Sequence, residues 1–255
     1  MKLEFAIMPT PFTHLEIAQR LIDDEALPQS IRDYIRSELG AFLLGNISAD
    51  ARVDSGSPRE TTHFYSYNEK ITRAPWRRMV EENKSLLSPH SPEHRVFVAG
   101  YIAHLSVDEY WTRNMVGPHF FAREWADRVE RFYMLHIILS YMDERDLNKL
   151  DTWQPDVLCE AQPTHWLPFI SDENLSNWRD LVQRQIIPSG VSQTLEIFGH
   201  RLGKPAQELR DFLDSEEKMQ IGLWNNIAQS LLSQIEADLY QYAREQMLIY
   251  LQETE

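Results

Sequence analysis

An all-α fold, a multi-helix bundle, is expected from three features of the sequence. Apolar residues recur at helical spacing over most of the chain. Pro and Gly fall where those stretches begin or end. No segment alternates apolar and polar residues over a strand's length. From Thr13 to Glu25, the residues Leu15, Ile17, Ala18, Leu21 and Ile22 share one face, with Thr13 as N-cap. Pro28 opens a second helix carrying Ile31, Tyr34, Ile35, Leu39, Phe42 and Leu43. Residues 46–72 are polar, contain Gly56 and Pro58, and read as a long loop of the kind that is usually functional or disordered. A helix follows Pro75. Pro92 opens another, from Glu93 to Met115, whose middle VFVAGYIAHLSVDEYW is apolar on nearly every side and so belongs at the centre of the fold. Gly117-Pro118 ends it, and a helix from Phe120 to Asp146 follows. The stretch from Lys149 to Pro168 is rich in Trp and Pro and reads as irregular. Shorter helices are expected over Leu175–Ile186, Ser192–His200 and Pro205–Asp214, and a long one over Gln220–Gln252. No repeat, low-complexity tract or linker divides the chain. Residues 1–255 therefore read as one helical domain, with a metal-site part over 1–146 and a C-terminal helical part over 147–255 that matches no motif.

With 255 residues, 43% of them hydrophobic, the chain can bury a sizeable core. A formal net charge of −14 repels phosphate backbones, which argues against nucleic-acid duplexes as partners; it also suits an ordinary solvated surface. The single cysteine, Cys159, excludes an intramolecular disulfide and reads as a small core residue. The opening MKLEFAIMPTPF is interrupted at Glu4 and ends at Pro9, too short for a secretory signal. No apolar run reaches the roughly 18 residues that span a bilayer. A cytoplasmic location without a transmembrane segment is the expectation.

The chemistry concentrates in GYIAHLSVDEYW. His104 and Asp108 stand at i and i+4, one turn apart on one helical face, where an imidazole and a carboxylate can converge on one cation. An Asp in the middle of an apolar helix is costly unless paired or metal-bound. A His–Asp hydrogen bond satisfying a buried polar pair is an equal alternative on these two residues alone. His14 in PTPFTHLEIA, Asp50 closing AFLLGNISAD and His63 in RETTHFY are each unremarkable singly, as a cap or surface His, a helix-boundary Asp and a loop His. In order along the chain they form a set: a His at the first helix, an Asp after the second, a His in the following loop, then His-x3-Asp in a buried helix. No HExxH, GxSxG, His-Asp dipeptide or Gly-rich phosphate loop occurs, and the one Glu-x-x-His, at Glu60 and His63, falls short of the two that a di-iron bundle needs. His90, His94, His165 and His200 have no constellation around them. Tyr65, Tyr67, Trp111, Trp153 and Trp166 suit a core or the lining of a cleft.

The ordered pieces THLEIA, FLLGNISAD, THF and GYIAHLSVDEYW resemble the zinc-dependent phospholipase C family, whose fold is shared by nucleases of the S1/P1 type. The resemblance covers roughly residues 10 to 145. It implies a helical bundle with a zinc cluster in a cleft and hydrolysis of phosphodiester bonds. It implies that Asp50, His63, His104 and Asp108 ligate one zinc, and that His14 and a bridging Asp108 belong to a second. The family completes that second site with a mature N-terminal Trp, whereas here thirteen residues precede His14. A third zinc would draw on His119 and His136; Ser140 stands where the family carries Glu, and Asp143, two turns along from His136, is the substitute. One to three zinc ions are thus expected, although a His/Asp set would also accept manganese or iron. Zinc lowers the pKa of a bound water from about 15.7 to near 7. Asp50 would serve as ligand or general base toward that water, with Asp54 as its substitute. The expected function is metal-assisted phosphodiester hydrolysis of a small-molecule or phospholipid substrate, in a chain able to form homo-oligomers. The alternative is a non-catalytic helical scaffold that keeps a structural metal.

Overall fold

The computed structural model describes residues 8–52, 56–67 and 69–254, and every regular element among them is helical. Helix α1 (Pro11–Asp23) has Thr10 at its N-cap and Pro11 at N1, so it starts ahead of the expected Thr13. The fixed φ of proline is already helical, and its missing N–H is one that the first turn leaves unbonded anyway. The single helix expected after Pro28 is two, α2 (Gln29–Ser37) and α3 (Leu39–Ile47), parted at Glu38 with φ −134° and ψ 43°. That bend turns α3 into the core, where seven of its nine residues are buried. The long segment expected as a loop holds a 3-10 turn (Ser48–Ala51) and a one-turn helix α4 (Glu60–His63). Asp54 lies outside the described residues.

Helix α5 (Pro75–Glu82) precedes the central helix α6 (Pro92–Trp111), whose N-cap Ser91 accepts a hydrogen bond from the His94 N–H. Gly117-Pro118 does not end this rod. The α-helix gives way already at Thr112, and a wider π-helical segment (Thr112–Ala122) carries the chain through both residues. Helix α7 (Arg128–Leu147) therefore starts later than Phe120, capped by Asp127, whose side chain accepts from the Glu130 N–H. The Trp- and Pro-rich stretch contains α8 (Gln154–Glu160). Then come α9 (Asp172–Ile186), α10 (Thr194–Leu202), α11 (Ala206–Leu213) and α12 (Glu216–Lys218). The expected long last helix is divided into a π-helical turn (Met219–Trp224) and α13 (Gln229–Glu253). Cys159 is exposed, contrary to its reading as a core residue, because α8 turns its neighbour Leu158 inward instead. No helix among the described residues is long and apolar enough to cross a membrane.

Helix α6 lies between α3 and α13 and is buried along nearly its whole length. Its approach to α3 is close enough that only glycine fits at the crossing. A Cβ on Gly45 would meet the Phe97 carbonyl oxygen at 2.1 Å, and one on Gly100 would meet the Phe42 carbonyl oxygen at 2.5 Å. Both obstacles are backbone atoms, which cannot swing aside. Helix α1 packs on α3 and α7, and Thr13 Oγ1 donates to Asp146 Oδ2 at 2.9 Å. Trp178 of α9 donates its indole N–H to the Ile47 carbonyl at 2.8 Å, fixing the end of α3.

Helix propensity alone would make Gly45→Ala stabilising by about 1 kcal/mol. The α3–α6 contact reverses that sign. Gly45→Ala is expected to lower the unfolding free energy by about 2–3 kcal/mol, read as a lower denaturant midpoint at unchanged slope. A raised midpoint would show that the two helices are not held this closely.

Candidate metal centre

Five of the residues singled out in the sequence meet at the inner end of α1, α3, α4 and α6. His14 comes from the buried face of α1, Asp50 from the 3-10 turn after α3, His63 from the end of α4, and His104 and Asp108 from successive turns of α6. His63 Nε2 stands 3.3 Å from Asp108 Oδ2 and 3.5 Å from Asp50 Oδ1. His104 Nε2 stands 3.7 Å from Asp108 Oδ2, and His14 Nε2 stands 3.4 Å from Asp108 Oδ1. Two triads have donor atoms within 4.8 Å of one another: His14, His104 and Asp108, and Asp50, His63 and His104. His14, His63, His104 and Asp108 are fully buried, while the Asp50 side chain is 18% exposed and marks the side of the cluster that solvent reaches.

The outer hydrogen bonds set the protonation of the rings. His104 Nδ1 lies 2.7 Å from the Asn46 carbonyl oxygen, which can only accept, so Nδ1 carries the hydrogen and Nε2 presents its lone pair to the cluster. Thr62 Oγ1 donates to the Arg59 carbonyl and therefore accepts from His63 Nδ1 at 2.9 Å, which again leaves Nε2 bare. The Nε2 atoms of His14, His63 and His104 and Oδ1 of Asp108 have no hydrogen-bond partner. Burial, then the His14 ring stacked on it at 3.8 Å, pushes His104 down to about 3, so this imidazole is neutral at physiological pH. Burial alone would raise the Asp108 carboxyl; its surroundings, with the Arg59 guanidinium bonded to it, instead hold it well below the ordinary carboxylate range. Burial likewise works against Asp50, whose carboxyl is nevertheless held low.

Lone pairs facing carboxylate oxygens across 3.3–3.7 Å, with no hydrogen between them, are a repulsive arrangement unless a cation fills the gap. A tetrahedral zinc with ligands at about 2.0–2.1 Å has ligand-to-ligand edges of about 3.3 Å. The triad Asp50, His63 and His104, with Asp108 3.3 and 3.7 Å from its two imidazoles, therefore offers donors of the kind that zinc takes. Nδ1–H groups tied to a carbonyl and a hydroxyl are also what orients imidazole ligands around an ion.

Arg59 joins this group and was not anticipated. It precedes α4, is 9% exposed, and donates from Nη2 to Asp108 Oδ2 at 2.6 Å and to the Tyr65 hydroxyl at 3.1 Å. Its guanidinium carbon lies over the rings of Tyr65 and Tyr67, 4.5 and 4.7 Å from their centroids. The signal was present in RETTH, where Arg59 stands four residues before His63, but it falls on one helical face only once the segment is known to be α4 and not loop.

The residues expected at a third site do not join either triad. His119 lies half-buried in the π-helical segment, where its carbonyl accepts from the Trp125 indole. His136 is buried on α7 between the rings of Phe132 and Phe198, and its Nδ1–H donates to the Phe132 carbonyl at 2.9 Å. Asp143 accepts from Ser192 at 3.2 Å, and burial pushes its carboxyl up to about 6. Of the remaining histidines, His94 is buried and donates to the Trp166 carbonyl at 2.8 Å, while His165 and His200 are exposed. No family model matches the chain, and no curated protein or solved structure matches it.

Burial holds His136 at about 4, against 6.5 for a free imidazole. The unfolded chain takes up this proton as pH falls through 6.5, and the folded chain resists until about 4, so acid favours unfolding across that window, by at most about 1.4 kcal/mol per pH unit. In chelator-treated protein, the stability lost between pH 7 and pH 5 is expected to be about 2 kcal/mol smaller for His136→Phe than for the parent, measured by denaturant unfolding. Equal losses would mean that His136 protonates in the folded state.

Proposed function

We propose that the chain is a zinc-dependent hydrolase of phosphodiester bonds, similar in its centre to the zinc-dependent phospholipase C family, with a small-molecule or phospholipid phosphodiester as substrate. The observation that carries this reading is the convergence of bare, buried imidazole nitrogens on Asp108 and on the partly exposed Asp50. Three of Asp50, His63, His104 and Asp108 would hold the ion, which leaves its fourth position for water. His104 has only one nitrogen free for a metal, because Nδ1 is committed to Asn46, so the two triads cannot both be filled through it. A second ion would also face the like charge of Arg59. One ion is therefore the expected content.

When bound, zinc would polarise a phosphoryl oxygen and lower the pKa of a water ligand toward neutrality. The chain's own groups supply the rest. Asn46 and Thr62 keep the two imidazoles in the ligating tautomer. Asp50, the only member of the cluster with appreciable exposure, is placed to orient an incoming water and, where it does not ligate the ion, to take its proton. The apolar helices around the centre exclude bulk water and strengthen each charge interaction within it.

The burial of the other four residues favours a second reading, a structural ion in a non-catalytic scaffold. A structural site is closed by four protein ligands, whereas a catalytic one keeps a position for water. Elemental analysis of protein purified without chelator or His-tag is expected to give about one zinc per chain, and the loaded protein to hydrolyse bis(p-nitrophenyl) phosphate. His104→Ala should lose the ion, and Asp50→Asn should lower the hydrolysis rate by about a hundredfold or more. If both variants keep zinc and the parent's full rate, the hydrolase reading is wrong; zinc with no hydrolysis in the parent favours the scaffold.

A further inference from the structure

Arg59 is more than a counter-ion. Nη2 satisfies Asp108 and Tyr65, whereas Nη1 is buried with no hydrogen-bond partner. An unpaired donor on a buried cation is costly, and a guanidinium presents its two NH2 groups in one rigid plane suited to anion oxygens. The two tyrosine rings pack against that plane and orient it. The charges point the same way. Asp50 and Asp108 against Arg59 leave the cluster with one net negative charge. A divalent ion converts it to one net positive charge, which the single charge of a phosphodiester neutralises. Arg201 of α10 lies close enough to Asp50 to feel its charge.

Resting on the one-ion reading above, we propose that Arg59 is an oxyanion-binding residue. Nη1 takes a non-bridging oxygen of a phosphodiester monoanion, and the guanidinium occupies the place that a second metal would have beside Asp108. Arg201 adds positive charge near Asp50. The C-terminal part of the chain thereby contributes to the same site through α10.

The test uses the full chain loaded with zinc, titrated calorimetrically with dimethyl phosphate and separately with inorganic phosphate, with zinc per chain measured in parallel. Cobalt-substituted protein gives an independent visible-spectrum readout of anion arrival. The parent is expected to hold one zinc and bind dimethyl phosphate. Arg59→Met should keep the zinc and bind the diester at least about tenfold more weakly, with Arg59→Lys and Arg201→Met intermediate. If Arg59→Met fails to fold by circular dichroism, Arg59→Lys carries the comparison, because a lysine keeps the charge without the paired N–H groups. Retained zinc with dimethyl phosphate affinity equal to the parent's in the folded Arg59 variants overturns the role of Arg59 and leaves the metal centre standing. A parent that binds inorganic phosphate and not dimethyl phosphate overturns the assignment to a diester. A parent that takes up no zinc removes the metal centre and this proposal together.

Discussion

Asp108 is the point from which the arrangement of the first half of the chain follows. Its side chain is 1% exposed in the middle of an apolar helix, where an uncompensated carboxylate would be severely destabilising. Compensation arrives from three other places in the sequence: His14 on α1, Arg59 and His63 around α4, and His104 one turn back on α6. Each of these groups is itself buried and polar, so none is at rest without the others. Among the described residues, Arg59 makes the one short side-chain hydrogen bond to the carboxylate. The imidazoles that His104 and His63 turn inward are bare at Nε2. A cation at their focus would bind the 3-10 turn, α4 and α6 to one another, so that ion affinity and folding stability become one quantity.

The ring orientations on which this depends are set by helix packing and not by the polar residues themselves. Gly45 and Gly100 let the backbones of α3 and α6 touch. That contact brings the Asn46 carbonyl to 2.7 Å from His104 Nδ1, while the Asn46 side chain donates back to the Phe42 carbonyl. Tyr101 of α6 donates to the Thr62 carbonyl at 2.8 Å, which places Thr62 Oγ1 where it meets His63. The glycines carry no chemistry, yet they decide which nitrogen of His104 faces the centre.

Much of this was legible in the sequence. The helical class follows from apolar periodicity, and the five centre residues follow from their order along the chain. What escaped is physical and local. The break at Glu38 is invisible to periodicity because both halves present apolar residues at compatible spacing. The π-helical segment retains enough helical pattern that Gly117-Pro118 looked like the only possible stop. Helix α4 is one turn long, too short for any periodic signal, and so Arg59 and Thr62 were read as loop residues. His136 and Asp143 share a face of α7 with Ser140, as a ligand set would, but α10 covers His136 with Phe198, and Ser192 bonds Asp143.

On the proposed one-ion reading, arginines stand where further ions would otherwise be held. Where a second ion would share Asp108, the carboxylate already holds a guanidinium that is charged at every accessible pH. Where a third would gather on His136, the neighbouring charge is that of Arg201, which also lies in the field of Asp50. A metal ion supplies two charges and open coordination positions; an arginine supplies one charge, a fixed plane of donors and no affinity for water as a ligand. Exchanging one for the other keeps the ability to hold an anion while reducing the number of places where a nucleophile can be generated. On this reading the centre is built to fix a singly charged phosphoryl group firmly and to activate water at one position only, the one beside Asp50.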